Sequence, residues 1–174
     1  MIISIIFCVV LGLVLASPPK EKLDPHPTLI ESRATLVLCP NHLSKQWQDE
    51  IARATDLKVH VINTIVQLRA LTYEQVRSEY DVILCVYQLF ETPHYCVLPS
   101  THTAKAFDAA QIDWEKRNKQ VDNALKPIKK SKSYNTSCPI LDHFYWHRVV
   151  IDEGHDVISV TPHGGKLSFT ENHG

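Results

Sequence analysis

Four short apolar runs, set apart by turns and amphipathic stretches, constrain this chain more than any other feature of it. Thr35-Leu36-Val37-Leu38-Cys39, Lys58-Val59-His60-Val61-Ile62, Asp81 to Val86 and Arg148-Val149-Val150-Ile151 each have the length and apolar content of a buried strand. The first is closed by Pro40-Asn41 and followed by Leu43, Trp47, Ile51 and Ala54 at helical spacing, so a strand, a sharp turn and an amphipathic helix are predicted in that order. Thr72-Tyr73-Glu74-Gln75 is a capping box, and the flanking Leu71 and Val76 are placed for a hydrophobic staple. A helix is therefore predicted to run on to about Glu79. Strands that alternate with helices imply an α/β fold with a mostly parallel sheet flanked by helices. The 174 residues suit one domain. A hydrophobic content of 44% and a formal net charge of −1 lack the global basic excess that announces nucleic acid, so any contact with it must be local.

The last run ends in two adjacent acids, Asp152-Glu153, followed by Gly154-His155. An apolar strand that delivers Asp-Glu to its carboxyl end is how nucleotide hydrolases place one carboxylate on Mg²⁺ and the next on the attacking water. The plainer reading is a strand followed by an acidic turn. A motif of this kind takes its meaning from context.

The context lies about a hundred residues upstream. Ala34 to Ile51, with Leu38-Cys39-Pro40-Asn41-His42-Leu43-Ser44-Lys45-Gln46-Trp47 at its centre, resembles motif Ia of the Swi/Snf-type helicase-like ATPases. Tyr80 to Leu89 resembles their next motif, and Trp146 to His155 resembles motif II. The Asp-Glu-Gly-His variant is most similar to the branch that often carries RING-type ubiquitin ligase modules and works in DNA repair. The three motifs stand in the right order over roughly residues 2 to 158.

That resemblance implies a partial RecA-like lobe with ATP and Mg²⁺ as cofactors and duplex DNA as partner. Asp152 becomes the Mg²⁺ ligand, since a hard cation in a phosphate site takes carboxylate oxygens and keeps several waters. Glu153 would orient or deprotonate the attacking water. Gly154 would allow close backbone approach, and His155 is similar to the family position that couples the nucleotide site to the moving second lobe. Asp152, Glu153 and Gly154 are thus the expected cofactor-binding residues. Pro40, Asn41, His42, Leu43 and Gln46 are the expected DNA contacts, because a turn leading into a helix amino end suits phosphates. Trp47 shares a face with Leu43 and Ile51 and is expected in the core. No Gly-x-Gly-Lys-Thr loop occurs, and Gly164-Gly165-Lys166-Leu167-Ser168 has the wrong spacing and follows motif II. Without that loop and a second lobe the chain is expected to lack ATP turnover of its own. Without the strand that leads into that loop in this family, a central gap in the sheet and marginal stability are expected.

Ile2 to Ala16 is a continuous apolar run, too short to span a bilayer comfortably. The resemblance makes residues 1–17 the helix that follows the phosphate loop and packs on the sheet. A signal peptide is the alternative reading, and would make the protein secreted rather than nuclear. Asn135-Thr136-Ser137 is a glycosylation sequon that matters only in that case. Residues 18–33 read as a connector, 34–90 as the lobe with motif Ia, and 91–137 as a polar and basic insertion. Its helix is expected from about Lys105 to Leu125, before the cluster Lys126-Pro127-Ile128-Lys129-Lys130-Ser131-Lys132. That cluster is either a solvated face or a phosphate-binding patch. Residues 138–158 carry motif II, and 159–174 form a divergent tail. Five cysteines without a Cys-x-x-Cys pair indicate neither a zinc site nor a disulfide framework. His143 and His147 lie four apart but lack a surrounding ligand set. Two functions of different class follow: a fragment of a DNA-dependent ATPase motor of remodelling or repair type, or a small secreted or non-catalytic binding protein. No membrane span is expected in either.

Overall fold

A computed structural model describes residues 2–19, 26–92, 95, 114–131 and 134–154. The first apolar segment forms helix α1 (Ile2–Ala16). Strand β1 (Ile30–Cys39) leads through Pro40 into helix α2 (Asn41–Ala54), and β2 (Val59–Ile62) leads into the short helix α3 (Ile65–Arg69). A π-helical turn (Gln75–Glu79) precedes β3 (Val82–Val86), which ends in a 3₁₀ turn (Tyr87–Glu91). Helix α4 (Trp114–Ser131) and a second 3₁₀ turn (Leu141–His143) come before β4 (Phe144–Ile151).

The strands form one parallel sheet in the order β2-β3-β1-β4. Each face is covered by helices because the runs are apolar on both sides. One side packs Val37, Cys39, Val82 and Leu84 against Phe7 and Leu11 of α1 and Leu43, Trp47 and Ile51 of α2. Phe7 meets the Trp47 ring edge-on at 4.5 Å between centroids. The other side packs Leu36, Leu38, Ile83 and Cys85 against Leu68, Val76, Leu125 and Leu141. The α/β fold class and the parallel sheet expected from the alternation are what the chain adopts. Among the described residues, no helix is long and apolar enough to cross a membrane.

Several boundaries differ from expectation. β1 starts at Ile30, inside the stretch read as a connector, because Ile30 and Ser32 are buried and pair with Phe144 and Trp146 ahead of a bulge between Ser32 and Thr35. The insertion helix runs on through Pro127 to Ser131, carried by the buried Val121 and Leu125 and the half-buried Ile128. Its expected start near Lys105, and the tail from 159, lie outside the described residues. Lys129 is neither solvated nor aimed at a phosphate: its Nζ donates to the carbonyls of His26 (3.0 Å) and Leu29 (2.8 Å), tying the chain before β1 to α4. The Thr72 capping box forms, with Gln75 N–H donating to Thr72 Oγ1 at 3.2 Å and Thr72 N–H donating to Gln75 Oε1 at 3.0 Å. Thr64 and Gln67 form a second one that starts α3.

Candidate functional site

All four strands point the same way, so their carboxyl ends share one crest of the sheet. β1 and β4 are neighbours there: Leu38 stands opposite Ile151, and the Asp152 N–H donates to the Leu38 carbonyl at 2.8 Å. The Asp152-Glu153 turn therefore sits beside the Pro40 turn. Two segments that are more than a hundred residues apart in sequence meet because parallel pairing requires it.

Asp152 is half-buried and Glu153 is exposed. Sequence reasoning put Trp47 in the core, and it is fully buried, but its indole N–H was missed as part of the site. Nε1 donates to Asp152 Oδ2 at 2.8 Å, between residues 105 positions apart. No local pattern could have announced that bond. Glu153 has φ of 52°, a left-handed conformation that turns the backbone sharply away from the strand direction. Gly154 is not the crowded position: an added Cβ would meet only Ile151 Cγ2 at 3.6 Å, an ordinary contact. The chain itself thus does not demand glycine at 154. His155 lies outside the described residues.

At the facing turn Pro40 caps α2 with φ −62° and ψ 150°, and this cap residue supplies no side-chain hydrogen bond to the helix's amino end. Asn41 and His42 are exposed and Gln46 is half-buried. Leu43 stands apart from these candidates. Its side chain is in the core and its N–H donates to the Pro40 carbonyl at 3.0 Å, which leaves it nothing to offer a phosphate. Ser44, buried and not anticipated, donates to Asn63 Oδ1 at 2.7 Å and so links α2 to the end of β2. Beneath the acids, the Cys39 thiol is pushed up to about 12, by burial first and by the Asp152 charge second. It stays protonated and inert. His143 and His147 have separate tasks. His143 bonds to Tyr73 Oη and to the Val121 carbonyl, while His147 bonds to the Ser17 carbonyl.

Among the described residues no three His, Cys, Asp or Glu side chains cluster to hold a metal. One oriented carboxylate at a crest suits a hydrated divalent cation that keeps most of its waters: it is held weakly by the protein alone and more firmly when it arrives on phosphates. The donor set thus fits the cation as part of a nucleotide complex.

The chain matches a family model, the SNF2-related domain, over residues 2–162. It is 41% identical over 71 residues to a DNA (cytosine-5-)-methyltransferase, DMT5, of Cryptococcus neoformans, a match covering 40% of this chain and 3% of that protein. It is 23% identical over 133 residues to an uncharacterized ATP-dependent helicase, IRC20, of Saccharomyces cerevisiae, covering 69% of this chain and 8% of that protein. Less than a tenth of either relative's length is spanned. With motif Ia and motif II set side by side on a parallel sheet, and the family model matched across most of the sequence, this chain belongs to the SNF2-related domain family.

Proposed function

We propose that these residues supply part of the first RecA-like lobe of an ATP-dependent DNA translocase of chromatin-remodelling or repair type, acting in the nucleus. The observation that carries the reading is the Asp152-Glu153 turn beside the Pro40 turn on one crest. Mg²⁺-ATP, when bound, brings the γ-phosphoryl group whose transfer to water drives such motors. Asp152 offers a carboxylate oxygen to the cation, and Glu153 orients or deprotonates the water. His155 reports the nucleotide state to a second lobe. Pro40, Asn41, His42 and Gln46 line the DNA-facing turn, where backbone amides and polar side chains meet phosphates without reading sequence. These residues include no Gly-x-Gly-Lys-Thr loop to hold the phosphates of ATP, so by themselves they are expected to be catalytically silent.

Two measurements test this. In fluorescence anisotropy the chain binds duplex DNA weakly, with little sequence preference and a steep dependence on salt, and a His42→Glu substitution weakens binding several-fold, on the order of ten-fold with added repulsion. Binding that ignores both the substitution and salt would refute the DNA-facing assignment. In a coupled ATPase assay with duplex DNA, turnover stays at the level of an Asp152→Ala control. Turnover clearly above that control would overturn the expectation of silence.

A further inference from the structure

Asp152 is held at two points, by its backbone and by one carboxylate oxygen, and the second hold is unexplained by packing. Its backbone N–H is committed to Leu38 on β1, and its Oδ2 accepts from the Trp47 indole on α2 at 2.8 Å. Trp47 is 0% exposed and wedged edge-on against Phe7, so the donor has a fixed position. The surrounding side chains, Val37, Leu43, Ile51 and Leu84, are apolar. A phenylalanine or leucine would fill such a space without needing a partner. An indole N–H can only donate, and burying it without an acceptor costs more than the bond itself contributes. The position is therefore built around the carboxylate as well as around the core.

We infer that Trp47 is a positioning residue for the metal-binding carboxylate: its indole N–H takes Oδ2 and turns Oδ1 toward the place where the cation arrives. The inference rests on the reading of Asp152 as the Mg²⁺ ligand. The chemistry is that of outer-shell control. The terminal torsion of an aspartate is a broad two-fold rotor, so an untethered carboxylate presents either oxygen over a wide arc. A buried donor on one oxygen removes that freedom before the cation binds. Partners of this kind are worth on the order of ten-fold in metal affinity when removed. Trp47 does not touch the reacting atoms and acts only through Asp152.

The test uses the full chain and Mn²⁺ alone as a paramagnetic probe. Backbone amide resonances of Leu38, Cys39 and Glu153 report broadening at the crest. In the wild type, Mn²⁺ broadens these three before other amides, and Asp152→Ala abolishes the effect. With Trp47→Phe, the Mn²⁺ concentration for half-broadening rises about ten-fold. Because Trp47→Phe also opens space in the core, a second variant carries benzothienylalanine at position 47, an isostere that replaces only the N–H by sulfur. It is expected to keep the amide spectrum and show the same weakening. Unchanged Mn²⁺ response in the isostere would overturn the positioning role while leaving Asp152 as the ligand. Absence of any selective broadening in the wild type would overturn the metal reading, and this inference with it.

Discussion

At the scale of single residues, two positions around the acidic turn behave unlike their sequence neighbours. Glu153 sits at φ 52°, where a side chain with Cβ costs roughly 1 kcal/mol that glycine avoids. Glu153→Gly is expected to raise the urea midpoint slightly, and Glu153→Val to lower it by more, since a β-branched residue resists that conformation most. Equal midpoints for the two variants would contradict the left-handed assignment. Cys39 gives a pH-dependent prediction. Its thiol ordinarily titrates near 9.0 and is pushed up to about 12 in the folded chain, so between those values the unfolded state has lost a proton that the folded state keeps. Its contribution to stability is full below about pH 9 and is lost progressively as pH rises toward about 12. Thermal midpoints measured from pH 8 to 11, roughly the accessible part of that window, should fall less steeply for Cys39→Ala than for the wild type. Parallel slopes would show that the thiol is not the group responsible. Cys85 is fully buried and raised for the same reason, so thiol reagents at pH 8 should modify the exposed Cys8 before Cys39 and Cys85.

At the scale of elements, the core strands were legible because apolar runs of strand length have few alternatives. Thr35 to Cys39 and Asp81 to Val86 announce themselves, and so does the α2 stripe of Leu43, Trp47 and Ile51. The candidate acids were legible too, as the end of one such run. What stayed hidden depends on distant partners. The first half of β1 forms because it pairs with Phe144 to Trp146, which no local pattern at Ile30 discloses. The short helix α3 has a capping box but only five residues, too few for a periodic signal. The Trp47 indole and the Lys129 ammonium each have a destination set by three-dimensional proximity alone. Lys129→Ala should free the chain ahead of β1 from α4 and cost about 1 to 2 kcal/mol, read by chemical denaturation, with faster amide exchange near Leu29. Phe7 is the largest of the α1 side chains in the core, beside Leu11 and Val14, so Phe7→Ala should cost about 3 to 5 kcal/mol and expose α1 to exchange before the sheet opens. Uniform exchange across α1 and β1 in that variant would mean the helix and sheet unfold as one unit.

At the scale of the whole molecule, the sheet is asymmetric. β3 is buried along its full length, while β4 is half-exposed and, among the described residues, pairs with β1 alone. A parallel strand with one partner leaves unpaired backbone groups along its outer edge, and such edges invite other chains. The chain is expected to self-associate with rising concentration in sedimentation velocity, and Tyr145→Lys, which puts a charge on an exposed position of that edge strand, should reduce the effect. Concentration-independent sedimentation of the wild type would show that the edge is covered. The β1–β4 pairing also sets a timetable for birth on the ribosome. Ile30 must wait for Phe144, more than a hundred residues later, before the central strand acquires its second neighbour. During that interval the nascent chain displays an apolar strand with a bare flank, and its safe arrival depends on how quickly translation delivers the β4 segment relative to capture by holdase chaperones.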